Sequence, residues 1–163
     1  MRTALAAFLL LSPAFVHAAP IAPLAPMAFL AGHCWKGTFA DGKQTDEHCF
    51  EWLYDGQALR DTHKVRAPGR PDYVGETTYY FDSGTKRVSF LYVENFGGVS
   101  QGTMEPTAGA LVFPAARYVA DGEAMTYRAR WTRQGADAYE AFSEMQAKDG
   151  WTPMFRIVLK RVT

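Results

Sequence analysis

The sequence predicts an all-β fold, an antiparallel up-and-down barrel of about ten strands. Three observations lead there. Short segments with apolar and polar residues in alternation recur at even spacing along the chain, Gly-containing turn signals separate them, and no window carries a helical period of useful length. Closure into a barrel would remove the two open edges that such a meander otherwise leaves.

The elements follow in chain order. Residues 1–18, MRTALAAFLLLSPAFVHA, carry a basic residue at Arg2, an apolar run from Ala4 to Leu11 and the small residue Ala18, the pattern of a signal peptide. The apolar run is too short to span a bilayer. This predicts a periplasmic or secreted protein with no membrane insertion after cleavage. Residues 19–29, APIAPLAPMAF, are rich in Pro and Ala and predict an extended lead-in, with a turn near Met27–Leu30. Residues 30–163 then form a single barrel domain, long enough for one real core.

Two Asp-Gly dipeptides fix the first strands. Asp-Gly between alternating segments predicts a hairpin turn, because the turn needs positive φ at both central residues, and the turn in turn sets the register. A turn at Asp41-Gly42 places Cys34 opposite Cys49, Lys36 opposite Glu47 and Thr38 opposite Thr45. A turn at Asp55-Gly56 places Glu51 opposite Arg60, Glu47 opposite Lys64 and His48 opposite His63. The two registers agree on the faces. One carries Lys36, Thr38, Thr45, Glu47, Glu51, Arg60, Thr62 and Lys64 with the cysteines, and opposite charges meet across it as on a solvated surface. The other carries His33, Trp35, Phe39, Asp46, His48, Phe50, Trp52, Leu59, Asp61, His63 and Val65 and faces the core.

Further strands are expected at 73–81, 87–95, 99–105, 110–119, 124–133, 138–147 and 152–162, with Pro114 marking a bulge or edge. Asp149-Gly150 as the last turn pairs Phe155 with Glu144, Ile157 with Phe142 and Leu159 with Glu140. A turn at Gly135-Ala136 pairs Tyr127 with Glu144 and Trp131 with Glu140. Phe155, Ile157 and Leu159 point inward by alternation, and these registers bring Glu140 and Glu144 inside with them. Tyr79 and Tyr80 beside Leu91 and Val93 make one hairpin apolar on both faces, a candidate surface for a homodimer.

Composition narrows the partners. The chain has 17 basic and 17 acidic residues, a balance that argues against nucleic acid or an anionic membrane surface. Two cysteines in an exported chain point to a disulfide. The Cys34–Cys49 pair has the geometry for it, since directly opposed hydrogen-bonded residues have Cα atoms about 5.5 Å apart.

Leu30-Ala31-Gly32 followed by Trp35 and Gly37 opens the first strand. This resembles the Gly-x-Trp-x-Gly strand that plugs the floor of lipocalin-like and nitrobindin-like small barrels, a calycin-type architecture, and of bacterial lipocalin-like domains of unknown function. The spacing departs, since two residues, His33 and Cys34, separate Gly32 from Trp35. The resemblance implies a cavity. Nitrobindin-like barrels hold haem through a histidine near the C-terminal end; this chain has no histidine after His63, so that ligand is not carried over.

The preferred function is binding of a small, partly apolar molecule inside the barrel. Trp35, Phe50, Trp52, Tyr127, Trp131 and Phe142 would line the walls, and His33, His48, His63, Asp61, Glu140 and Glu144 would fix polar atoms. One alternative is a metal site centred on His48 and His63, with His33 as a diagonal neighbour and Asp46 or Asp61 as a further ligand or an acceptor behind an imidazole. Another is an enzyme in which a His48/Asp61 or His63/Asp46 pair is the general base and Glu140 or Glu144 the acid, although no nucleophile stands out. A third is a structural or interaction module. The bland reading of the same residues is a hydrogen-bonded polar core.

Overall fold

Residues 19–162 are described by the structure, a computed structural model. Its strands are β1 (His33–Thr38), β2 (Thr45–Leu53), β3 (Ala58–Arg66), β4 (Tyr73–Asp82), β5 (Arg87–Glu94), β6 (Val99–Thr107), β7 (Ala110–Ala120), β8 (Glu123–Arg133), β9 (Ala138–Ala147) and β10 (Gly150–Val162). Each pairs with the next, and β10 returns to β1 in a closed barrel. The fold class is therefore as the alternation predicts, and the architecture is compatible with a calycin-type barrel. The leader expected over 1–18 lies outside the described residues. Among the described residues no helix is long and apolar enough to cross a membrane.

The first two hairpins adopt the registers that Asp41-Gly42 and Asp55-Gly56 dictate. Cys34 faces Cys49 and Lys36 faces Glu47, while His48 faces His63 and Glu51 faces Arg60. Asp55 and Gly56 both have positive φ, as the turn requires. The disulfide Cys34–Cys49 is formed with Cα atoms 4.0 Å apart. That is nearer the narrow, non-hydrogen-bonded spacing of about 4.5 Å than the wide one expected from the sequence. It closes a loop of 15 residues, for which the chain-entropy account gives about 3 kcal/mol.

The lead-in is not extended. Ala22–Met27 winds into a 3-10 helix. Leu24, Met27 and Leu30 recur every third residue, and in a 3-10 helix such residues eclipse on one face. All three are fully buried, each contributing about 1.5–3 kcal/mol. They close one end of the barrel, where the Trp35 indole Nε1–H donates to Leu30 O at 3.1 Å and the ring packs edge-on against Tyr139 at 5.4 Å.

The C-terminal registers differ from expectation. Gly150 is already the first paired residue of β10, opposite Ala147, and a bulge between Pro153 and Phe155 moves the ladder once more. Between β8 and β9 the last pair is Arg133 with Tyr139, so the connection is longer than a two-residue Gly135-Ala136 turn. The β8–β9 ladder is shifted by one residue, and the β9–β10 ladder starts two residues off and is one residue off beyond the bulge; a one-residue shift exchanges faces. Glu144 consequently faces Arg128 and Glu140 faces Thr132, both outside. Phe155, Ile157 and Leu159 do point inward, opposite Ser143, Ala141 and Tyr139. Pro114 sits in a bulge between Phe113 and Ala116, as its missing N–H requires. On the β4–β5 hairpin Tyr79 is buried, whereas Tyr80, Leu91 and Val93 are exposed, so only the latter three form the outward apolar surface.

Candidate functional site

Opposite the 3-10 plug, the strand ends that meet at the other mouth enclose a cavity of about 370 Å³. Phe90, Phe113, Trp131, Tyr79, Phe155 and Met154 supply much of its apolar wall, and Asp46, His48, Asp61 and His63 supply a polar one. The polar wall follows from the first two hairpins. On β2, Asp46 and His48 are two apart and so project to one side; on β3, Asp61 and His63 do the same; and the register places His48 beside His63.

His48 is held at both ring nitrogens. Its Nδ1 lies 2.9 Å from Asp61 Oδ2 and its Nε2 3.2 Å from Asp46 Oδ2. An imidazole can donate to two carboxylates only as the imidazolium. Burial opposes that charge, but the Asp61 and Asp46 carboxylates more than offset it and push the pKa up to about 10. For Asp46, burial would raise the pKa, yet the charge and hydrogen bond of His48, with help from His63, hold it well below the usual carboxylate range. The two imidazoles stack with centroids 5.0 Å apart. His63 Nδ1 is 3.5 Å from Asp46 Oδ1, and both atoms are buried without a hydrogen-bond partner.

Behind His63 stands a tyrosine chain that sequence reading missed. His63 Nε2 is 3.0 Å from the Tyr92 hydroxyl, which is 2.6 Å from the Tyr73 hydroxyl. Tyr118 donates to Glu94 at 3.1 Å, and Glu94 also accepts from the backbone N–H of Phe96 at 2.6 Å and of Gly98. Burial pushes the Tyr92, Tyr73 and Tyr118 hydroxyls up, so all stay neutral. Gly75 is opposite His63, and a Cβ there would lie 2.4 Å from His63 Nε2 and 2.6 Å from Tyr92 Cε2. The glycine leaves the space these two rings share.

The other sequence candidates sort clearly. Tyr127 and Trp131 line the cavity, with the Tyr127 hydroxyl 3.0 Å from Ser100 Oγ. Phe50 is buried below it, stacked on His48 at 6.0 Å and edge-on to Trp131. Trp35 belongs to the floor. His33 is exposed at the start of β1 and meets Arg161 Nη1 at 3.1 Å, away from the other histidines. Glu144 accepts from Arg128 Nε at 2.7 Å and Glu140 is paired with Arg156, both on the outer surface. Phe142 is also outside, under the Arg156 guanidinium at 4.2 Å. The expected interior acids are therefore exterior ion pairs, and the acid–base pairing that used them is not formed.

The arrangement can do two things chemically. It presents polar and charged groups on one side of an apolar cavity, and it converges imidazole nitrogens with a carboxylate. The chain matches no protein-family model and no curated protein.

Proposed function

We propose that this chain is an exported lipocalin-like barrel that binds a small, partly apolar molecule. The observation that carries the reading is the cavity of about 370 Å³ with its polar groups gathered on one wall. That volume is at the lower end of the range for small-molecule sites, which are mostly apolar with a few convergent polar groups. A ligand would set its apolar body against Trp131, Phe113 and Phe90 and its polar end toward Asp46 and His63. The leader pattern and the disulfide support export, since disulfides persist in oxidising compartments.

The test uses N-phenyl-1-naphthylamine, a small apolar fluorophore, on the purified chain treated with EDTA. Wild type should bind about one equivalent with enhanced, blue-shifted emission. Ala129 lines the cavity, and Ala129→Trp should abolish the binding while the protein keeps its far-ultraviolet circular dichroism. Absence of saturable binding by wild type, or full binding by the folded Ala129→Trp protein, would overturn the reading.

A further inference from the structure

We propose that Asp46, His48 and His63 form a site for a divalent transition-metal ion on the cavity wall, with Asp61 and Tyr92 as the residues that orient the two imidazoles. Carboxylate oxygens and imidazole nitrogens of the three residues lie within 4.8 Å of one another. The separations that define the site are 3.2 Å from His48 Nε2 to Asp46 Oδ2 and 3.5 Å from His63 Nδ1 to Asp46 Oδ1. Tetrahedral coordination with bonds of about 2.0–2.1 Å spaces ligand atoms roughly 3.3 Å apart. Each nitrogen stands at about that spacing from one oxygen of the Asp46 carboxylate, His48 from Oδ2 and His63 from Oδ1.

Each imidazole is gripped from behind. Asp61 engages His48 Nδ1 at 2.9 Å, so Nε2, which otherwise donates to Asp46 Oδ2, is the nitrogen an ion would take. Tyr92 engages His63 Nε2 at 3.0 Å, which leaves Nδ1. Ligating histidines are held in this manner, with the second ring nitrogen on a carboxylate or other polar partner that fixes tautomer and orientation. The nitrogens left over are the ones that converge on Asp46.

An independent observation points to something missing between them. Asp46 Oδ1 and His63 Nδ1 are buried and lack hydrogen-bond partners, whereas buried polar atoms are satisfied in the large majority of cases. One ion would satisfy both and take the place of the proton between His48 Nε2 and Asp46. Two imidazoles and one carboxylate suit zinc, and iron or copper in other geometries. All three residues line the cavity, so a fourth position on the ion would face it and be free for water or a ligand atom. His33, on the surface beside Arg161, has no part in the site.

The test is a zinc titration of the EDTA-dialysed chain by calorimetry at pH 7, with no organic ligand present. Wild type and His33→Ala should bind one equivalent. Asp46→Ala and His63→Ala should lose at least 100-fold in affinity. Asp61→Asn and Tyr92→Phe should lose roughly 10–100-fold, the usual effect of removing a residue behind a ligand. A readout that needs no variant is the cobalt-substituted wild type, which should show the visible absorption of a low-coordinate nitrogen–oxygen site. Wild type that takes up no stoichiometric zinc, binding that survives His63→Ala, or binding that is lost in His33→Ala would overturn the proposal. Fluorophore binding is measured in EDTA, so failure of the metal site and failure of the cavity reading are separate results.

Discussion

Replacing Asp61 by Asn tests whether His48 is an imidazolium locked between two carboxylates. The side chains are nearly isosteric, so the change removes charge and little volume. The His48 pKa rises from 6.5 to about 10, a difference worth roughly 5 kcal/mol at 1.36 kcal/mol per pH unit. Two carboxylates share it, so Asp61 contributes about 2–3 kcal/mol, at or below the lower edge of the roughly 3–5 kcal/mol typical of breaking a buried pair, because Asp46 remains on the imidazolium. Urea unfolding in EDTA at pH 6 should show that loss. The sign follows from the raised pKa: the stabilisation is complete below pH 6.5 and is lost as pH climbs toward about 10. Wild type should therefore lose stability across that window, and Asp61→Asn should lose less. The depressed Asp46 carboxyl acts on the acid side, where its contribution is present above 3.8 and is lost as pH falls below it. A change under 1 kcal/mol at pH 6, or an NMR titration of wild-type His48 with its midpoint near 6.5, would refute the reasoning.

Three further outcomes are expected. Gly75→Ala, an exchange that often gains stability through the unfolded chain, should instead cost about 1–3 kcal/mol by overpacking, because the new Cβ meets His63 and Tyr92; it should also shift the His63 ring resonances, and unchanged resonances would count against the shared space. Leu24→Ala should cost about 2–5 kcal/mol and lower Tm by roughly 4–20 °C in calorimetry, while fluorophore binding at the opposite mouth persists. Glu144→Gln should change stability by under about 1 kcal/mol and leave the cavity's probe affinity unchanged; a several-fold fall in that affinity would mean the carboxylate faces inward after all.

Legibility along this chain depended on whether each Asp-Gly dipeptide sits at the centre of its turn. Asp55 and Gly56 both take positive φ and set His48 against His63. At the first hairpin only Gly42 does, and the Asp41 carboxylate accepts from the N–H groups of Lys43 and Gln44 in a longer loop that keeps the same register, Cys34 against Cys49. Near the C-terminus the same dipeptide misplaced the turn, because Gly150 of Asp149-Gly150 is already paired with Ala147. Gly150 has positive φ yet sits in the strand, and the bulge after Pro153 adds a second shift. A single-residue error there carried Glu140 and Glu144 from the outer surface to the interior. The lead-in failed for another reason: a period of three is the pattern of a 3-10 helix, and a chain rich in proline reads equally as extended. The tyrosines behind His63 were hidden because they come from β4 and β5, and no local spacing ties them to β2 and β3. The registers of β3, β4 and β5 together bring Tyr92 to His63 across Gly75.

Pairing of the first strand with the last has a consequence for the order of events in folding. The seam between β1 and β10 joins residues such as Cys34 and Val162, so the wall cannot be completed until nearly the whole chain is available. Contacts of such long sequence separation form slowly. Synthesis delivers the N-terminal residues first, and at about 5–20 residues per second the opening strand waits roughly 6–26 s for its partner. The Cys34–Cys49 link needs only its own hairpin and can be made during that wait. It would hold the nascent β1–β2 ribbon in register as a template for the eight strands still to arrive.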